Sequence, residues 1–173
     1  MVMPIAQLGE TVLRQHADPV TEFDPALAQL LQQMQATMEQ AGGVGIAAPQ
    51  VGVGRQALII ASKPNARYPD APLMAPMALI NPQIEATGGD EVGAWEGCLS
   101  VPGLRGFVHR PDEVQVRYQD IDGQWQRTTL TGFPARILLH EYDHLIGKTF
   151  LDRVSSTEDL VATSVWERQW QNG

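Results

Sequence analysis

Between Pro25 and Gln40 the apolar residues Leu27, Leu30, Leu31, Met34 and Met38 recur at steps of three and four, the repeat of a helix with one face on a core. Asp24 is a good N-cap, Pro25 suits the first helical position and Gly42-Gly43 supply the stop, so a helix is expected over about 24–40. Bulk then vanishes in Gly43-Val-Gly-Ile-Ala-Ala-Pro-Gln50. Strands are expected from Ala57 to Ala61 and from Ala78 to Ile84, the second leading into Gly88-Gly89, with a proline-rich surface loop from Ser62 to Pro76 between them. From Glu113 to Thr131 the alternation of Val114, Val116 and Tyr118, a turn at Asp122-Gly123 and then Trp125 read as a β-hairpin. A helix starts near Pro134 and ends near Gly147. A last helix is expected from about Ser156 to Trp170, capped by Ser156 or Thr157.

No internal repeat and no biased linker divides the chain, so residues 1–173 are expected to form a single α+β domain. Its short, mostly antiparallel strands should pack around the central helix near 134–147. Composition changes this picture little. The 43% hydrophobic content is that of a globular chain, and no apolar run reaches the roughly 18 residues needed to span a bilayer. Met1-Val-Met-Pro-Ile lacks the basic and apolar regions of a signal peptide, which implies a cytoplasmic protein with no membrane partner. Charge says more. A formal net charge of -8 repels phosphate backbones, so no direct nucleic-acid binding is expected. The only cysteine, Cys98, excludes an intrachain disulfide and leaves a buried apolar, ligand or nucleophile role open.

The candidate chemistry lies in His140-Glu-Tyr-Asp-His144. At about 100° per residue, His144 stands one turn along and about 40° round from His140, so both imidazoles reach one metal. Glu141 lies beside that line but off it, placed to move the proton of a water. Ile137, three residues before His140, makes the same stripe apolar before it becomes metal-binding. Two histidines also occur as plain core residues, and the surroundings decide against that. A catalytic metal needs a third protein ligand and an open position. Six residues after His144 stands Phe150, not a further histidine. Glu158 and Glu167, near the spacing of some zinc peptidases, and Cys98 remain as candidates.

Three motifs in order resemble the peptide deformylase family: Gly43-Val-Gly-Ile-Ala-Ala-Pro-Gln50, Glu96-Gly-Cys-Leu-Ser100 and His140-Glu-Tyr-Asp-His144. The likeness runs from about Ile5 to Asp152. It implies a hydrolase that removes the N-formyl group from N-formylmethionyl peptides and nascent proteins and releases formate. It also implies Cys98, His140 and His144 as ligands of one divalent metal ion, Fe(II) first, with Zn, Ni or Co as alternatives that ligand softness does not separate. Glu141 would carry the proton, and the side-chain amide of Gln50 with the backbone N–H of Leu99 would meet the oxyanion. Gly43, Val44 and Gly45 would take the peptide as an added strand, with Glu96 and Gly97 also in the substrate-binding set.

Val44, Phe133 and Ile137 are the best candidates for an apolar methionine pocket, with Trp95 nearby in sequence. Arg105 matches a family arginine near the peptide's far end. Arg136 also falls at that pocket, where a guanidinium must turn outward or pair with an acid. Asp143 would support a ligand or pair with Arg110. Nascent chains as substrates raise transient ribosome association. After Phe150, however, Asp152, Glu158, Asp159 and Glu167 stand against Arg153 and Arg168, a balance poorly suited to RNA.

Overall fold

The structure, a computed structural model, describes residues 1–66 and 68–171. Of the expected span 1–173, Arg67, Asn172 and Gly173 therefore lie outside it. Helix α1 (Pro25–Gln40) starts as expected: the Asp24 carboxylate accepts from the Leu27 N–H at 3.0 Å. Six strands form one antiparallel sheet in the order β1 (Gly45–Ala47), β2 (Ala57–Ser62), β3 (Met74–Cys98), β4 (Val101–Gln119), β5 (Trp125–Thr131), with β6 (Leu160–Ala162) also on β4. Helix α2 (Gly132–Leu145) follows β5 directly.

Strands β1 and β2 are buried on both faces, which is why Ala57-Leu-Ile-Ile-Ala61 is apolar without alternating. Leu58 and Ile60 pack with Ile137, Leu138 and Leu139 of α2. Ile59 and Ile46 pack on the other side with Leu27, Leu31, Met34 and Met38 of α1. Each such fully buried side chain contributes about 1.5–3 kcal/mol. Helix α2 is thereby pinned against the sheet with its His140 end inside. It stops at Gly147, whose φ of +75° suits glycine and where a Cβ would meet the Arg14 carbonyl oxygen at 2.6 Å.

Two expectations on element bounds are corrected. Strand β3 is 25 residues long, not the seven of 78–84, because Gly88-Gly89 marks a register shift within the strand rather than its end. Another shift falls between Ile80 and Gln83, where Asn81 at φ +51° spends its side chain on both main-chain groups of Val20. The helix expected over 156–170 is also shorter. Leu160–Ala162 pairs with Leu104–Gly106 instead, so ladder hydrogen bonds and apolar contact outweigh local helix propensity there. Helical turns begin only at α3 (Thr163–Trp166) and continue as a π-type turn over Glu167–Gln171. None of the described helices is long and apolar enough to cross a membrane.

Candidate metal centre

The end of β3, a tight turn and the middle of α2 bring the site together. Cys98 pairs with Val101 across the Leu99-Ser100 turn, which points the thiol towards α2. The ligand atoms of Cys98, His140 and His144 lie within 4.8 Å of one another, with Cys98 Sγ 3.3 Å from His144 Nε2. Neither Glu158 nor Glu167 belongs to this group, so Cys98 is the residue that the fold brings to the two histidines as a possible third donor. Phe150 stacks on the His140 ring at 6.2 Å.

Behind His140 stands a buried carboxylate. Glu96 Oε1 accepts from His140 Nδ1 at 2.8 Å, a contact that directs Nε2 to the cluster, where its lone pair would be free to hold a metal. Glu96 also accepts from Arg110 Nε and Nη2 at 2.7 and 3.0 Å and from Arg136 Nη1 at 2.6 Å. Burial alone would raise its pKa; the His140 and Arg110 hydrogen bonds outweigh that and hold it well below the usual range. The network continues from Arg110 to Asp143 at 3.0 Å and from Asp143 to Arg153 at 2.7 Å. Arg136 borders the cleft but pairs with an acid: its Nη1 donates to the Val108 carbonyl as well as to Glu96, and its Nη2 to the Val92 carbonyl. The Glu96 side chain, expected among the substrate-binding residues, borders the cleft and also accepts from His140.

Glu141 contrasts with it. This residue is buried, its Oε1 has no hydrogen-bond partner among the described residues, and burial raises its pKa to about 7. Burial also pushes the Cys98 thiol up, but the neighbouring imidazoles of His144 and His140 prevail and hold it well below its ordinary value. For His140, burial lowers the pKa while the charges of Glu141, Cys98 and Glu96 raise it well above the usual value. A thiol whose pKa is held low, two imidazoles and an unpaired buried carboxylate oxygen fit a divalent cation, whose charge would satisfy all of them.

In front of the cluster a cleft is bordered by Gly43, Val44, Gly45, Gln50, Gly97, Leu99, Phe133 and Ile137, so these expected residues converge. At Gly45 a Cβ would lie 2.7 Å from Glu141 Oε2 and 2.8 Å from Ile137, so only glycine lets β1 pass this close to α2. Gln50 is fixed at both ends of its amide: Oε1 accepts from Ala47 N–H at 2.9 Å, while Nε2 donates to Ser100 Oγ at 3.2 Å and lies 3.5 Å from Cys98 Sγ. Arg105 is buried at the cleft wall, where its guanidinium fills the space a Cβ on Gly97 would need. Trp95 is not among the cleft's lining residues and packs against Phe107 and Trp170. Sequence reasoning missed Tyr68, whose ring packs on Phe133 at 4.8 Å at the cleft mouth. A lone aromatic within a proline-rich loop was the available signal.

Two histidines of an H-E-x-x-H helix joined by a cysteine at the end of β3, beside a cleft, define a metal-dependent hydrolase of α+β fold. The polypeptide deformylase family model matches residues 2–159, and the chain belongs to that family. It is 53% identical over 156 residues to peptide deformylase 2 of Shewanella oneidensis, covering 90% of this chain and 86% of that protein. To peptide deformylase 2 of a Nostoc species it is 47% identical over 167 residues, covering 96% and 93%. Among solved structures, the Met-Ala-Ser-bound class I type b peptide deformylase of Acinetobacter baumannii superposes with a TM-score of 0.87 at 44% identity, covering 89% of this chain and 99% of that one.

Proposed function

We propose that this chain removes the N-formyl group from N-formylmethionyl peptides and nascent chains in the cytoplasm, with Fe(II) as its resident metal. The observation that carries this reading is the pairing of the Cys98–His140–His144 cluster with an unpartnered Glu141 oxygen beside it. Cys98 Sγ and the two imidazoles would hold a divalent cation, which would supply Lewis acidity and lower the pKa of water. Glu141 takes the proton of the attacking water and returns it to the departing amine as the amide C–N bond breaks. Gln50 Nε2 and the Leu99 N–H meet the negative charge that develops on the formyl oxygen. Val44, Phe133 and Ile137 receive the methionine side chain while Gly43 to Gly45 take the peptide as an added strand. Transient ribosome association follows from nascent chains as substrate; at a net charge of -8 it would run through the peptide rather than RNA.

The test is formate release from formyl-Met-Ala-Ser by anaerobically purified protein, with metal analysis of the same sample. Stoichiometric Fe and rapid formate release are expected. No formate release from fully metallated protein would overturn the reading.

A further inference from the structure

Gln50 and Leu99 sit on separate elements. Gln50 belongs to a single 3₁₀ turn, Ala48–Val51, whereas Leu99 lies in the short turn between β3 and β4. The hydrogen bond from Gln50 Nε2 to Ser100 Oγ, at 3.2 Å, links the two turns directly. The N-terminal segment adds a second link. Ala6 N–H donates to the main-chain carbonyl of Gln50 at 2.7 Å, and Leu8 N–H donates to the Ser100 carbonyl at 2.9 Å. Between them, Gln7 Nε2 makes a longer contact with the Leu99 carbonyl at 3.4 Å. The segment is itself tied at both ends. Met3 N–H donates to Thr37 Oγ1 of α1 at 2.9 Å, and past the fully buried Leu13 the Ala17 N–H donates to the Leu145 carbonyl of α2 at 2.9 Å. Ala6, Gln7 and Leu8 are not among the cleft's lining residues. Leu8 leaves 42% of its surface exposed and Gln7 is exposed as well, so burial of their side chains does not account for where they lie. Their contacts to the two turns do.

We infer that Ala6–Leu8 is a positioning strap that fixes the spacing of the Gln50 amide and the Leu99 N–H through the main-chain N–H groups of Ala6 and Leu8. The inference rests on the deformylase reading, because that reading makes those two groups the oxyanion donors. Such donors help only when they already stand where the charge will develop, and small misplacements are costly. A shift of the Gln50 main chain within its tight turn carries its side chain along. The Ser100 carbonyl lies two planar peptide units beyond the Leu99 N–H, so holding one sets the direction of the other. Ala6, Gln7 and Leu8 touch no reacting atom in this scheme and act only by holding the groups that do.

The test follows formate release from formyl-Met-Ala-Ser by the full, metallated chain. Leu8→Pro and Ala6→Pro each delete a donating N–H. Each should lower kcat about tenfold, less than the loss of a whole donor, with KM within about twofold of the parent and metal content unchanged. Leu8→Ala keeps the N–H and should match the parent. Met3→Pro removes an N–H of the same segment that serves α1 instead, and should also match it. In a Gln50→Ala background, Leu8→Pro should cost about twofold or less, because no donor pair is left to space. Four results would each overturn the strap: an unchanged kcat in both proline variants, equal losses in Leu8→Pro and Leu8→Ala, the same tenfold factor with and without the Gln50 amide, or metal lost along with activity. Absence of formate release by the fully metallated parent would instead sink the deformylase reading on which the strap rests.

Discussion

Glu96 and Glu141 are both buried carboxylates beside His140, yet everything around them differs. Glu96, at the rear of the ring, accepts from one imidazole and two guanidinium groups, and its pKa is held low. Glu141, at the front, has an oxygen with no partner among the described residues and a pKa raised to about 7. A fully partnered carboxylate in a dry interior holds its neighbours still; it has no lone pair to offer a substrate. An unpartnered one is unfavourable for the fold and useful only if something arrives to meet it. On the proposed reading the rear of His140 is scaffold and the front is chemistry, within a single side chain's width.

The sharpest way to break that contrast is Glu141→Gln. The variant keeps shape and polarity but carries no proton, and the proposed cycle uses Glu141 twice. Turnover of formyl-methionyl peptides should fall by more than the roughly 10² to 10⁴ of a single general acid–base step. Metal content should stay stoichiometric and the denaturation midpoint should not drop, because no hydrogen bond is lost. Appreciable turnover in a fully metallated sample would move the proton path elsewhere.

Glu96→Ala should show the opposite profile. Removing the carboxylate leaves Arg136 and part of Arg110 as buried cations without their counter-charge, which should cost about 3–5 kcal/mol of stability. His140 loses its Nδ1 acceptor as well, so metal affinity should fall about 10- to 100-fold. Urea unfolding and metal competition by a chelator measure the two effects. Equal destabilisation by Glu96→Ala and Glu141→Gln would erase the distinction between front and rear.

Much of this was legible in the sequence, for identifiable reasons. Helix α1 and its cap, the β4–β5 hairpin and the H-E-x-x-H stripe are local, and their periods and turn residues carry the information. Cys98 as third ligand was not decidable from spacing alone, since Glu158 and Glu167 competed until the motif resemblance favoured Cys98 and the fold grouped it with the histidines. The length of β3 was hidden because Gly88-Gly89 has the same appearance in a bulge as in a turn. The C-terminal segment misled because β6 is held by a partner some 55 positions away in Leu104–Gly106, which no local propensity reports. Arg136 was expected either to turn outward or to pair with an acid; that it pairs, and with Glu96, depends on a strand crossing that the sequence does not display.

Gln50 sits between the two regions and sharpens the comparison. Its carbonyl end is fixed by Ala47 N–H, as scaffold, while its amide end faces Cys98 Sγ, as chemistry. Gln50→Ala should keep the metal and slow turnover by about 10² to 10³, the usual effect of losing one oxyanion donor. Gln50→Glu supplies the control: it can still accept from Ala47 N–H but offers no N–H to the oxyanion. If Gln50→Glu turned over as fast as the parent, the residue would belong to the scaffold alone.

Arg153→Ala probes how far the scaffold behind His140 extends. Arg153 is the outermost member of the network; its side chain is 37% exposed, against 4–6% for Asp143 and Arg110. It donates to both oxygens of Asp143, at 2.7 and 3.1 Å, but Asp143 keeps Arg110 at 3.0 Å when Arg153 is removed. The charge left behind is therefore still paired, and the lost contact lies where water and salt screen it. The expected cost is about 1 kcal/mol or less, shrinking as salt is added, with metal affinity and turnover close to those of the parent. Arg110→Ala, which strips Glu96 and Asp143 together, should cost several times more. A loss from Arg153→Ala as large as that from Glu96→Ala would mean that the ion network acts as one unit from the protein surface to the metal ligand.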